Sequence, residues 1–288
     1  MAEEDREGGR EGGQERFGAE QTRRWIGVPQ AGDDKYSRGV LGIVTGSDLF
    51  PGAAVLGVEG AARTGTGMVR YLGPQRAADF VLQRRPEVVT ADGRVQAWLI
   101  GSGMPTDRDE ALTTRLQDYL GQGLPTVLDA GALDLAGDAT GPVLLTPHYG
   151  ELAALLDRHD VQVDKATIAR EPARWAARAA RTVGATVLLK GSTTFVADPA
   201  GLRHTVTAGP PWVATAGAGD VLGGVLGALL ATHEQQLQAD PGVLADLAAA
   251  GAWLHGEAGR AASLGAPIAA LDIAEAIPEV LRSLLGAS

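Results

Sequence analysis

Ala216-Gly217-Ala218-Gly219-Asp220-Val221-Leu222-Gly223-Gly224 is the stretch whose reading decides what kind of fold the chain can have. Two glycines stand ahead of an apolar run of helical character that continues to about Ala231. Without Cβ atoms they let backbone N–H groups close around an anion. The helix N-terminus adds free donors and a partial positive charge. Asp220 falls in the first turn. A carboxylate there suits the helix dipole and serves as a cap. Beside a bound phosphate it can instead orient and deprotonate an acceptor hydroxyl while the N–H groups stabilise the group in transfer. The motif alone allows both readings. Its context removes two common phosphate sites. No G-x-x-x-x-G-K-[ST] occurs, so this is not a P-loop. A Rossmann fingerprint opens the first βαβ unit and leaves strands behind it, whereas only helical patterns follow Asp220.

Upstream the pattern alternates. Short apolar runs at Val40–Val44, Ala97–Ile100, Thr126–Leu128, Val143–Leu145 and Thr186–Leu189 read as buried strands. Segments of helical period lie among them, at 52–63, 109–120, 151–158 and 167–182. This alternation predicts an α/β fold with a mainly parallel central sheet flanked by helices on both faces. After Lys190 the style changes: 193–197 and 203–207 flank the turn sequence Asp198-Pro199-Ala200-Gly201 and predict a hairpin. Helices at 243–264 and 274–285 finish the chain.

The 288 residues suffice for one well-buried domain, and 45% hydrophobic content is ordinary for a globular protein. Residues 1–20 are charged and glycine-rich and predict a disordered tail, leaving 21–288 as a single domain. A formal net charge of −10 disfavours nucleic acid and anionic lipid as partners. The absence of cysteine excludes disulfides and thiolate metal sites and fits a cytoplasmic location. The N-terminus has no apolar core of a secretory signal, and the run 221–231 is too short to span a bilayer. Lysine is scarce: Lys35, Lys165 and Lys190 stand against 22 arginines.

Other strand ends run into glycine, which is where open α/β sheets place ligands. Val187-Leu188-Leu189-Lys190-Gly191-Ser192-Thr193-Thr194 ends a strand in a lysine and hydroxyls; a solvated lysine is the plain alternative. Leu144-Leu145-Thr146-Pro147-His148-Tyr149-Gly150-Glu151 carries a histidine and a first-turn glutamate, which also suits a capping box. Gly46-Ser47-Asp48-Leu49-Phe50-Pro51-Gly52-Ala53-Ala54 could admit a flat ligand or simply pack closely. Ile100-Gly101-Ser102-Gly103-Met104-Pro105 and Leu128-Asp129-Ala130-Gly131 are further exits of this type.

Taken in order, Lys35-Tyr36-Ser37-Arg38-Gly39, Gly46-Ser47, Pro51-Gly52-Ala53-Ala54, Thr146-Pro147-His148-x-Gly150-Glu151, Leu189-Lys190-Gly191-x-x-Thr194 and Ala214-Thr215-x-Gly217-x-Gly219-Asp220 resemble the ADP-dependent NAD(P)H-hydrate dehydratases of the ribokinase-like superfamily. The resemblance spans about residues 33–287. It implies a ribokinase-like fold without a separate lid, and repair of nicotinamide cofactor hydrated at C6: (6S)-NADHX or NADPHX returned to NADH or NADPH, with ADP leaving as AMP and phosphate. Carried over by position, Asp220 would be the base on the C6 hydroxyl. Lys190, Gly191, Ser192, Thr193 and Thr194, with Gly217, Ala218 and Gly219, would hold the adenine nucleotide. Ala53, Gly103 and His148, together with Asp220, would line the NAD(P)HX pocket, and Glu151 would act near Mg2+ through water. A homo-tetramer or dimer is the expected assembly. Many bacterial members carry an N-terminal epimerase domain that 288 residues cannot also hold, so an epimerase would be a separate protein.

One departure and two rival readings stand beside this. The stretch before the Gly-Asp motif is Asn-rich in many members, but here it reads Thr207-Ala208-Gly209-Pro210-Pro211-Trp212. A ribokinase-like kinase of a vitamin precursor would share the anion site and Asp220, and a non-catalytic nucleotide-binding module would share the anion site alone.

Overall fold

The computed structural model describes residues 17–207 and 209–286. Eight strands form one sheet: β1 (Val40–Val44), β2 (Met68–Tyr71), β3 (Ala97–Ile100), β4 (Thr126–Leu128), β5 (Val143–Leu145), β6 (Thr186–Leu189), β7 (Thr193–Asp198) and β8 (Gly201–Thr207). Their order is β2-β1-β3-β4-β5-β6-β7-β8. Pairing is parallel from β2 through β6, and antiparallel for β6–β7 and β7–β8.

The helices are α1 (Ala19–Arg23), α2 (Gly52–Thr64), α3 (Gln75–Arg84), α4 (Glu110–Leu120), α5 (Tyr149–Asp157), α6 (Lys165–Arg170), α7 (Pro172–Val183), α8 (Ala218–Thr232), α9 (Glu234–Ala239), α10 (Leu244–Ser263) and α11 (Ala270–Leu285). Strand side chains alternate between two cores. Leu41, Ile43, Leu99, Val127, Leu144 and Leu188 pack under α2, α8, α10 and α11. Val40, Val44, Trp98, Ile100, Leu128, Leu145 and Leu189 pack under α4, α5 and α7. Both faces are covered, which is why these strands read as unbroken apolar runs. Among the described residues no helix is long and apolar enough to cross a membrane.

Five strand predictions match to the residue; β2 and α3 carry too short or too polar a pattern to be read. The helix expected over 167–182 is two helices. Pro172 has no N–H and pushes Glu171 out of the helical region, to φ −137°, ψ 56°. Of the tail expected over 1–20, residues 1–16 lie outside the described residues. Phe17 is not part of any tail: it is buried, donates its N–H to the Thr205 carbonyl at 3.2 Å and sets its ring edge-on to His204. The ordered body therefore begins before residue 21. One apolar residue amid charge carries too little pattern to be noticed, but its burial is enough to dock the segment.

Candidate functional site

The carboxyl ends of five neighbouring parallel strands run along one edge of the sheet. β1 leads to Ala53, β3 to Ser102 and Gly103, β4 to Asp129, β5 to Thr146 and His148, and β6 to Lys190. The chain reverses its direction of travel through the sheet between β1 and β3, so the crevice begins at a topological switch point, where such sheets bind ligands.

α8 points its N-terminus at this edge. Gly217 is the residue before the helix and has φ +90°, a conformation that costs glycine little and other residues more. α2 and α8 cross in near-backbone contact: a Cβ on Gly224 would stand 2.0 Å from the Gly57 carbonyl oxygen. This contact fixes where the helix end lies. Asp220, third in the helix, is half-buried, and no side chain caps the helix. Its carboxylate accepts no hydrogen bond among the described residues. The cap reading thus has no bond to support it. Burial pushes the Asp220 carboxyl up to about 6, the negative charge of Asp129 adds to this, and Lys190 opposes it.

Lys190 faces the same helix end. Its Nζ is 3.6 Å from the point a Cβ on Gly219 would occupy. Nζ donates to Asp129 Oδ1 at 2.7 Å and lies 3.8 Å from Glu151 Oε2. Burial alone would lower the lysine's pKa; the charges of Asp129, Glu151 and Asp220 outweigh it and hold the ammonium above its ordinary value. Lys190 is therefore not the solvated strand-end lysine of the plain reading. Asp129 is fully buried, and Ser102 Oγ and Thr146 Oγ1 also donate to it, at 2.8 and 2.7 Å. Burial works against its charge, but Lys190 and these donors keep its carboxyl below the usual carboxylate range.

His148 and Glu151 form the capping box allowed by the sequence. His148 Nδ1 accepts from the N–H groups of Gly150 and Glu151, at 3.1 and 3.0 Å, and Glu151 Oε2 accepts from the His148 N–H at 2.8 Å. The His148 ring remains exposed at the crevice, with Nε2 3.6 Å from Glu151 Oε1. Among the described residues no group of three or more acidic or histidine side chains could cage a metal ion. A single carboxylate with one oxygen free of hydrogen bonds does fit a magnesium ion held chiefly by phosphate oxygens and water.

Ala53 and Gly103 come together. Gly103 has φ +66°, and a Cβ on it would stand 2.5 Å from the Ala53 Cβ and 3.1 Å from the Phe50 carbonyl oxygen. Glycine is demanded here by packing, whatever else binds. Gly191 lies under Tyr149, whose Oη would be 2.5 Å from a Cβ there; Ser192 is exposed, Thr193 half-buried and Thr194 buried. Three polar residues of this crevice, Asp129, Ser102 and Thr146, lie in stretches the sequence marked as strand exits, but nothing in the spacing showed that they meet. His255 of α10 is a further one. It sits against the Ala218 backbone, burial pushes it down to about 4, and its Nε2 has no partner among the described residues. No local pattern distinguishes it from an ordinary core position.

The profile of the NAD(P)H-hydrate dehydratase family matches residues 41–279. The chain belongs to the NAD(P)H-hydrate dehydratase family. A member from Neisseria meningitidis, the ADP-dependent (S)-NAD(P)H-hydrate dehydratase, is 36% identical over 267 residues, covering 85% of this chain and 84% of that one. The bifunctional NAD(P)H-hydrate repair enzyme Nnr of Mycobacterium tuberculosis is 43% identical over 221 residues, 73% of this chain. The match takes in only 44% of that longer relative's length. Among solved structures of the dehydratase family, the Bacillus subtilis ADP/ATP-dependent NAD(P)H-hydrate dehydratase co-crystallised with ATP/Mg2+ superposes with a TM-score of 0.81 at 26% identity, covering 94% of this chain and 99% of that one. A ribokinase-like superfamily protein of Enterococcus faecalis, 21% identical, superposes with a TM-score of 0.76 over 93% of this chain and 95% of its own. The fold of this dehydratase-family chain is ribokinase-like.

Proposed function

We propose that this chain dehydrates (6S)-NADHX and NADPHX to NADH and NADPH, using ADP and releasing AMP and phosphate. The observation that supports this most is the placement of Asp220: an unbonded carboxylate at the head of a glycine-opened helix, facing the same space as the Lys190 ammonium. A helix end and an ammonium without a base would serve a nucleotide binder; the base adds chemistry.

Hydroxide is a poor leaving group, so the C6 hydroxyl is first phosphorylated. Asp220 takes the hydroxyl proton as the oxygen attacks the β-phosphorus of ADP, and the bond to AMP breaks. The Gly219 N–H at the helix end, with Lys190, stabilises the phosphoryl group in transfer; the Ala218 N–H is held by the Thr215 carbonyl at 3.3 Å. The C6–O bond then breaks, driven by the ring nitrogen lone pair, and phosphate leaves. Loss of the C5 proton completes the dihydropyridine. Lys190, Gly191, Ser192, Thr193 and Thr194 with Gly217 hold the nucleotide, and Ala53, Gly103 and His148 face the hydrated nicotinamide. Glu151 would hold a magnesium ion through water, and that ion would supply charge neutralisation at the phosphates. An epimerase and an oligomeric assembly remain the expected partners.

The test is incubation of the purified protein with NADHX, ADP and Mg2+. NADH absorbance rises, with AMP and phosphate formed in step. Failure with both ADP and ATP, together with phosphorylation of a thiazole or pyrimidine alcohol, replaces this reading with the kinase one.

A further inference from the structure

Beneath Lys190 lies a carboxylate with no part in the chemistry above. Asp129 is 3% exposed, and both its oxygens are engaged: Oδ1 accepts from Lys190 Nζ and Thr146 Oγ1, each at 2.7 Å, and Oδ2 from Ser102 Oγ at 2.8 Å. Its three donors come from the ends of three other strands, β3, β5 and β6. A buried ion pair is a costly way to hold a fold, since apolar residues of like volume do it as well or better. Lys190 is the donor that reaches the crevice, with 21% of its side chain exposed. Two carboxylates compete for its ammonium, Asp129 at 2.7 Å and Glu151 at 3.8 Å. The nearer one is itself pinned by two hydroxyls, so the lysine tip has one resting place, beside Gly219.

We propose that Asp129 is a positioning residue for phosphoryl transfer: pinned by Ser102 and Thr146, it fixes the Lys190 ammonium beside Gly219, where the nucleotide phosphates lie. Asp129 is covered by Lys190 and touches no substrate. The inference rests on the nucleotide part of the function proposed above. A structural ion pair would affect melting only, and positioning makes a different forecast: the effect of Asp129 on nucleotide affinity passes entirely through Lys190.

The experiment is a double-mutant cycle read by calorimetric titration of ADP with Mg2+ into wild type, Asp129→Asn, Lys190→Met and the double variant. Asparagine keeps the shape and an accepting oxygen but removes the charge. Asp129→Asn weakens ADP binding by about 10–100-fold, the scale of loss when the partner that orients a metal-binding side chain is removed. In the Lys190→Met background the same change has no further effect. An unchanged affinity in Asp129→Asn, or equal losses in both backgrounds, overturns the proposal. Should Asp129→Asn fail to fold, Thr146→Val loosens the same carboxylate and keeps its charge; it must weaken ADP by a smaller factor, and only while Lys190 is present. Because the readout is binding, a wild-type chain that binds ADP but does not convert NADHX defeats the dehydratase reading while this cycle still decides its own question. A wild type that binds no ADP defeats both.

Discussion

The ammonium of Lys190 stands 3.6 Å from the point that a Cβ on Gly219 would occupy. That spacing is ordinary van der Waals contact, so a methyl group fits there without disturbing the protein, yet it fills the space a phosphate needs. Gly219→Ala should therefore melt like the wild type and bind ADP more weakly, on the order of tenfold, as for one lost hydrogen bond to a charged group. Gly224→Ala is the counterpart. Its methyl would meet the Gly57 carbonyl oxygen at 2.0 Å and push α2 from α8. It should cost about 1–3 kcal/mol of stability, seen in thermal melting, before any change in binding.

Lys190 serves two ends at once, and its removal should show both. Lys190→Met should raise the apparent KM for ADP more than it lowers kcat, the signature of binding lost equally from ground and transition states. It also strips Asp129 of its counter-ion. A buried carboxylate left alone costs about 3–5 kcal/mol at neutral pH. In mild acid Asp129 can take up a proton, so most of the stability difference from wild type should vanish there. An unchanged KM for ADP would remove Lys190 from the nucleotide site.

Much of this geometry was readable in the residues. The five central parallel strands and the helix behind Gly217 follow from apolar runs and glycines that act locally. The Gly219-Asp220 helix start and the Lys190 strand end read as separate signals, and the fold brings them to one edge. The role of Asp129 was not readable, although the residue stood at a strand exit. Its meaning depends on Ser102, Thr146 and Lys190, which are 27, 17 and 61 positions away, and only the strand order makes them neighbours. His148 and Glu151 were legible as a capping box and as ligand residues alike, because one exposed helix start satisfies both patterns. Phe17 was hidden by the charged sequence around it.

Asp220 sets a pH dependence with a definite sign. A base works when deprotonated, and burial with the charge of Asp129 holds its carboxyl at about 6, against an ordinary value of 3.8. The kcat/KM profile should fall on the acid side through about pH 6, since it reports the groups of the free enzyme. A fall nearer pH 4 would mean that Asp220 is not the titrating base. The same shift bears on stability. An acid whose folded pKa is raised destabilises the folded state progressively as pH rises from about 3.8 to about 6, and the full penalty stays in place at higher pH. Replacing Asp220 by a neutral residue should raise the melting temperature at neutral pH by a few degrees.

Asp220→Asn puts the central claim to its most direct test. The variant keeps the shape of the side chain and loses only the proton acceptor. Turnover of NADHX with ADP and Mg2+ should be measured alongside calorimetric ADP affinity and melting temperature on one preparation. The account predicts a kcat lower by about 10²–10⁴-fold, the usual loss when a general base is removed, with ADP bound at least as tightly and a melting temperature no lower than the wild type's. A kcat close to the wild-type value would contradict it and leave Asp220 with no part in the chemistry.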